Sequence, residues 1–249
     1  MFWLTLALAV LIGVTLGIFG GGGSILTVPL LIYVAGQEPK VAIATSLFVV
    51  GITSIGALVT HARAGRVRWR TGVIFGLSAM VGAYGGGLLG PLLPDVVLLV
   101  GFALMMLATA VAMIRGRKNR DGDGAAELPM LLVLLEGVVV GLVTGIVGAG
   151  GGFLVVPALV LLGGLPMAAA VGTSLLVIVM KSFAALAGYL SAVQIDWTLA
   201  FWVTALALVG SVIGGQLVGR IDPERLRKGF GIFVLAMAVF VLAQTGLSG

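Results

Sequence analysis

Two stretches of this chain, GVTLGIFGGGGSILTVPLL at Gly13–Leu31 and GLVTGIVGAGGGFLVVPAL at Gly141–Leu159, decide how the rest of it is read. They are one pattern written twice at a constant offset: Gly13, Gly17, Gly20, Gly22, Gly23, Leu26, Val28 and Pro29 recur as Gly141, Gly145, Gly148, Gly150, Gly151, Leu154, Val156 and Pro157. Each is an apolar segment interrupted by small residues, Gly20-Gly21-Gly22-Gly23-Ser24 or Gly148-Ala149-Gly150-Gly151-Gly152. A glycine costs a helix about 1 kcal/mol relative to alanine, so such a run marks a break in the helix. The same offset pairs Thr45-Ser46-Leu47 with Thr173-Ser174-Leu175, Trp69 with Trp197, and Gly82, Gly86 and Gly87 with Gly210, Gly214 and Gly215. From 13 to 49 there are 16 identities in 37 ungapped positions, where chance would give about four, so the structural unit is a half of the chain.

The composition says what solvent those halves meet. Of 249 residues 60% are hydrophobic and 9% charged, with a mean hydropathy of +1.25. A soluble domain carries roughly 25% charged residues to face water, so this chain faces lipid. Apolar segments fall at about 3–35, 41–60, 71–90, 96–114, 129–163, 167–190, 197–219 and 229–246. The expected fold is an all-α polytopic membrane protein of about eight transmembrane segments. It divides into an N-terminal repeat (1–114), a polar linker (115–127) and a C-terminal repeat (128–249). Apolar segments recur to the C-terminus, which excludes a signal peptide ahead of a globular domain. The absence of cysteine excludes disulfides, thiolate catalysis and thiolate metal sites, and a single histidine excludes a multi-histidine metal site within one chain. No cofactor is expected.

Twelve of the fourteen basic residues fall in three stretches: Arg63, Arg66, Arg68 and Arg70; Arg115, Arg117, Lys118 and Arg120; and Arg220, Arg225, Arg227 and Lys228. By the positive-inside rule all three are cytoplasmic, which accounts for the net charge of +5 without nucleic acid. The counterpart of the Arg63–Arg70 loop, 191–198, carries Asp196 and no basic residue, and the counterpart of the uncharged-to-acidic Pro91–Asp95 turn opens the basic Arg220–Lys228 loop. Equivalent loops have exchanged their bias, as in an inverted repeat. Inversion needs an odd number of crossings per half. The overlong segments 3–35 and 129–163 therefore enter and leave on one side, as tilted crossings or re-entrant half-helices, and both termini lie outside.

A broken helix exposes the amides and positive dipole end of its second half, a ready seat for an anion. In inverted halves the two breaks are expected to converge near the midplane, with Thr45, Ser46, Thr173 and Ser174 adding hydroxyls. The residues expected to bind substrate or line its path are therefore Gly20, Gly22, Gly23, Ser24, Thr45, Ser46, Gly148, Gly150, Gly151, Gly152, Thr173 and Ser174. Lys181 joins them, because an ammonium in the middle of an apolar segment is costly and faces a cavity or partner. Glu136 could pair with Lys181 or carry a proton; Gln216 follows Gly214-Gly215 and could line the path. His61 borders the arginine loop and reads as interfacial, and Trp3, Trp69, Trp197 and Trp202 as an aromatic belt. The spaced pairs Gly13/Gly17, Gly82/Gly86, Gly210/Gly214 and Gly215/Gly219 read as close helix crossings. Neither cluster is followed by G-K-[ST], so no ATP motor is indicated, and neither fits a dinucleotide-binding turn.

The duplicated Gly-x-x-x-Gly-x-x-Gly-x-Gly-Gly with x-x-Leu-x-Val-Pro and a downstream Ala-x-x-Thr-Ser-Leu resembles the TauE/SafE sulfite exporter family, the TSUP permeases. Both copies carry it, from Gly13 to Leu47 and from Gly141 to Leu175. The resemblance implies a multi-pass inner-membrane transporter of small anions such as sulfite, sulfonates including sulfoacetate, or other organic acids. A secondary exporter working by alternating access, in contact with lipid and coupled to protons or sodium, is the leading expectation. An anion channel is the nearest rival. An intramembrane hydrolase with Ser24 as nucleophile is weaker, because His61 is poorly placed as its base. Substrate, direction, coupling ion and oligomeric state are left open by the residues.

Overall fold

A computed structural model describes residues 2–19, 22–115, 130–147, 152–162, 164–217 and 222–247. The first half contains α1 (Phe2–Phe19), α2 (Gly22–Pro29, continued by a π-helical turn, Leu30–Val34), α3 (Pro39–Arg63), α4 (Trp69–Leu89) and α5 (Asp95–Arg115). The second contains α6 (Met130–Val147), α7 (Gly152–Pro157, continued by a π-helical turn, Ala158–Leu162), α8 (Met167–Tyr189), α9 (Trp197–Leu217) and α10 (Pro223–Leu247). Displaced by the offset of the sequence repeat, α1 coincides with α6, α4 with α9, and the two π turns with each other. All described regular structure is helical. Five helices are long and apolar enough to cross a membrane: α3, α4 with its 3₁₀ extension, α5, α8 and α9. Four shorter apolar helices accompany them among the described residues.

The local chemistry explains the shared punctuation. Pro29 and Pro157 lack the N–H that an α-helix would use and crowd the preceding carbonyl, and the turns that follow them widen to π. Each π turn then stops at a glycine with positive φ, Gly36 (+72°) or Gly164 (+66°). The matching hydrogen bonds Gln37 N to Leu31 O and Leu165 N to Leu159 O close the ends in the manner of a Schellman cap.

The spaced glycines knit the halves together. A Cβ at Gly82 would stand 2.0 Å from Val138 O and one at Gly141 2.1 Å from Ala79 O, so α4 and α6 touch backbone to backbone. The equivalent exchange, Gly13 against Ala207 O at 1.9 Å and Gly210 against Val10 O at 2.2 Å, locks α1 to α9. These contacts also give directions. Gly82 faces Val138 and Leu142 while Gly86 faces Leu142 and Ile146, so α4 and α6 run parallel. Gly13 faces Ala207 while Gly17 faces Ser211 and Gly215, so α1 and α9 do too. Gly72 meets Leu176 and Gly90 meets Tyr189, which makes α8 parallel to α4. Phe48 meets Trp197 edge to face and Thr60 lies on Gly215, which makes α3 parallel to α9. α3 finishes just before α4 begins, where Arg68 N donates to Thr173 Oγ1 of α8, so α3 runs against α8.

One end of the bundle thus collects the finish of α1, α3 and α9 and the start of α4. Arg63, Arg66, Arg68 and Arg70 are there. α10 starts a few residues after α9 with Arg225 and Lys228, and α5 finishes beside it, Ile114 against Gly231, with Arg115. The opposite end carries Asp196 and the Lys40–Asp95 ion pair (3.8 Å). Between the ends the outward side chains are apolar, among them Leu77, Val81, Leu104, Val139, Phe201, Val209, Ile232 and Val239, as lipid contact requires. Trp69, Trp197 and Trp202 are exposed near helix starts, as an aromatic belt places them; the side chain of Trp3 lies outside the described residues.

Candidate functional site

The glycine clusters are only partly described. Gly20, Gly148, Gly150 and Gly151 lie outside the described residues, as do Gly219 and the side chain of Ser24; Gly22 and Gly23 open α2, and Gly152 opens α7. The flanks of the two breaks do not converge. α1 and α6, each 18 residues long, extend for roughly 27 Å before breaking, nearly a full crossing. Gly17 therefore sits at the basic end, against α9's Gly215, and Ile146 at the other end, beside α4's Gly86 and α8's Tyr189. What meets in the interior is the returning pair: α2 and α7 touch, and Ile25, Val28 and Val156 share one buried core.

The last turns of α1 and α6 are each tied to a neighbouring helix by a side chain, in equivalent ways in the two halves. His61 Nε2 donates to Gly17 O at 3.2 Å, and Tyr189 OH, at the matching position of the second half, donates to Ile146 O at 2.5 Å. His61 lies in the last turn of α3 beside the arginine loop, yet it is 0% exposed: α1 and α9 close over that turn and bury the ring.

Thr45, Ser46, Thr173 and Ser174 are all buried, yet they form two separate pairs, because α3 and α8 run in opposite directions. Thr173 Oγ1 accepts from Arg68 N (3.0 Å), which ties α8 to the basic corner, and Ser174 Oγ donates to Val171 O. Ser46 Oγ donates to Ile43 O, whereas Thr45 Oγ1 is buried without a hydrogen-bond partner among the described residues.

Lys181, on α8, is 2% exposed and donates to Thr144 Oγ1 at 2.8 Å. Thr144 in turn donates to Gly141 O at 3.2 Å, and the neighbouring Ser182 Oγ is buried without a partner among the described residues. Leu47, Ala83, Gly145 and Ala185 complete the walls of a crevice too tight for a water molecule. The cluster offers an ammonium and two hydroxyls, with apolar side chains around them. Glu136 does not join it: it lies partly exposed on α6, two helical turns and about 12 Å before Thr144. The ion pairs among the described residues are Lys40–Asp95 and Lys228–Glu224. Gln216 is exposed at the end of α9.

The first half lacks this cluster. The counterpart of Lys181 is Thr53, whose hydroxyl returns to Val49 O (2.7 Å), and the counterpart of Thr144 is Leu16, packed in a dry contact with Val50 and Ile178. Thr144 and Ser182 were not among the residues expected from sequence. The signal that could have found Thr144 is a polar residue four positions before a glycine cluster where the other copy has leucine, Leu16. Among the described residues no group of His, Asp or Glu is arranged to hold a metal ion.

A family model, Sulfite exporter TauE/SafE, matches residues 5–241. A probable membrane transporter protein of Xylella fastidiosa is 34% identical over 244 residues, covering 96% of this chain and 94% of its own. Those of Methanocaldococcus jannaschii and Bacillus subtilis (YunE) are each 28% identical, over 260 and 268 residues, with at least 96% of each chain covered. No solved structure matches. With nearly its whole length matched and the apolar helix bundle described above, the chain belongs to the TauE/SafE sulfite exporter family of multi-pass inner-membrane transporters.

Proposed function

We propose that the protein is a secondary transporter of a small oxyanion, of the class of sulfite, sulfonates such as sulfoacetate, or small organic acids. In this reading Lys181 is the charge that receives the anion, Thr144 and Ser182 supply hydroxyl donors, and Thr45 is a spare hydroxyl on the facing helix. The observation that carries it is a buried lysine whose Nζ is held by a neutral hydroxyl rather than a carboxylate, beside a hydroxyl with no partner among the described residues. Such a charge is expensive in a membrane interior unless an anion joins it for part of a cycle.

The cycle we propose is alternating access between two inverted halves. Its support is directional: α1, α3 and α9 run one way and α4, α6 and α8 the other, so each helix opposes its own repeat equivalent. The overlong first segment of each half is then a hairpin; α2 turns back along α1, with Tyr33 and Leu30 beside Leu8 and Leu11. The amides opening α2 and α7, from Gly22, Gly23 and Ser24 and from Gly152, with the adjoining Gly20, Gly148, Gly150 and Gly151, line the route to Lys181. A crevice closed to water in this conformation suits a carrier caught occluded better than an open channel.

The test is flux by purified protein in liposomes, scanned over sulfite, sulfonates, sulfate and carboxylates with an imposed proton or sodium gradient. A carrier shows counterflow, in which unlabelled anion inside accelerates entry of labelled anion. Conductance without counterflow would make the protein a channel, and no flux of any of these anions would reject the substrate class.

A further inference from the structure

The repeat places two different side chains in one structural role. His61 and Tyr189 occupy equivalent positions in the two halves, close the last turns of α3 and α8, and donate to carbonyls in the last turns of α1 and α6. A hydroxyl is enough for that bond, as Tyr189 demonstrates. The imidazole brings something more. Gly17 O can only accept, so Nε2 carries the hydrogen and Nδ1 holds a lone pair. Nδ1 is buried and, among the described residues, has no hydrogen-bond partner.

We infer that His61 Nδ1 is a proton-binding site which couples protonation to opening of the basic end of the transporter. The inference rests on the transport reading above and names the coupling ion for it. His61 and Arg66 together clamp that end: His61 holds α1 through Gly17 O, and Arg66 Nη1 reaches Gly215 O of α9 at 3.4 Å. The imidazole lies against the same Gly215, and Arg66 N bonds His61 O, so the two side chains share one corner. The other charges are remote or few. α1, α2 and α9 contain no Asp, Glu, Lys, Arg or His; α8 contributes Lys181, bonded away from this corner to Thr144; α5 has Asp95 and Arg115 only at its tips; α10, which starts at this end, carries Arg225, Arg227, Lys228 and Glu224, the last paired with Lys228 (2.9 Å), and Asp222 before it caps the backbone of Glu224 and Arg225; and α3 itself adds Lys40 at its far end and Arg63. No carboxylate on these elements is placed to balance an imidazolium here. A second cation beside Arg66, with a new N–H and no acceptor, destabilises the closed corner, whereas opening hydrates both. Proton binding and closure of this end are therefore linked and mutually opposed.

The chain has no cysteine, which gives a direct test on detergent-purified protein. A single cysteine at Ala57, fully buried one turn before His61, reports opening by its maleimide labelling rate. The rate is normalised to a cysteine at the exposed Ala192 to remove thiol ionisation. Between about pH 8 and pH 5, where an imidazole titrates, normalised labelling of the Ala57 site should rise, little above about pH 6.5 and by up to tenfold per pH unit below it. H61Y, which copies the equivalent residue, and H61Q, which keeps an N–H donor, should both label slowly at every pH. A flat wild-type profile, or an unchanged pH response in whichever of H61Y and H61Q folds, overturns the proposal. In liposomes, H61Y or H61Q should retain sulfite counterflow and lose acceleration by a proton gradient; retained acceleration also overturns it. If wild type carries no sulfite, the substrate reading fails while the labelling arms still decide the proton site.

Discussion

Replacing Lys181 by methionine separates an anion site from a structural lysine, because the two roles predict opposite changes in stability and binding. In the closed conformation Lys181 Nζ has Thr144 Oγ1 as its hydrogen-bond acceptor, and Thr144 keeps its own bond to Gly141 O when the ammonium is removed. Lys181→Met therefore strands no donor, leaves Thr144 Oγ1 with its bond to Gly141 O, removes a desolvated charge and fills nearly the same volume, so the unliganded protein should melt at or above the wild-type temperature. Thr144→Val does the reverse: it leaves the ammonium without its partner and should cost about 1.5–3 kcal/mol. Anion binding should follow the charge. One charge-assisted bond of about 1.5–3 kcal/mol corresponds to roughly 10- to 150-fold in affinity. The assay is the rise in melting temperature with sulfite or a sulfonate, measured beside the unliganded value, followed by liposome flux. Binding of the anion by Lys181→Met within about threefold of wild type, a difference under about 0.7 kcal/mol, refutes the anion site. Destabilisation of Lys181→Met as large as that of Thr144→Val refutes it too, since the lysine would then be structural.

Single cysteines at Arg66 and Arg225 should be shielded from an impermeant reagent in intact cells, and cysteines at Ser191 and Gln194 should be labelled; labelling at 66 or 225 without permeabilisation contradicts the inverted orientation. Gly82→Ala and Gly210→Ala put a methyl within 2.0 Å of Val138 O and 2.2 Å of Val10 O, so each should lower stability by about 1–3 kcal/mol or more, read as melting temperature, without selectively affecting anion affinity. Gly22→Val and Gly150→Val should instead weaken anion-dependent stabilisation more than they lower the unliganded melting temperature; wild-type binding in both would make the clusters packing devices. Tyr189→Phe orphans Ile146 O and should cost about 1–3 kcal/mol by denaturation, with no new pH dependence, since the hydroxyl it removes does not titrate near neutrality.

Much of this molecule follows from the sequence because the controlling physics is local. A 9% share of charged residues forces the bundle into lipid; four small residues in a row stop a helix wherever they occur; Pro29 and Pro157 remove a donor whatever surrounds them; and a repeat in sequence imposes a repeat in helix boundaries. The small-residue spacing at Gly13/Gly17, Gly82/Gly86 and Gly210/Gly214 likewise required close partners, and each pair has one. Which partners they take is set by tertiary structure, since α4 chooses α6 and α9 chooses α1, each across the repeat boundary. The same holds for the polar groups. Lys181 was conspicuous in sequence, but its acceptor 37 residues earlier was not, and Glu136, of opposite charge, was the more obvious partner until helix length and register put it two turns away. His61 read as an edge residue because arginines follow it in the chain, yet burial depends on what packs over the helix end, and there α1 and α9 cover it completely. Per-residue costs written in the sequence determine the solvent, the breaks and the duplication; only the packed bundle decides which buried donor meets which acceptor, because that depends on directions and registers set by distant parts of the chain.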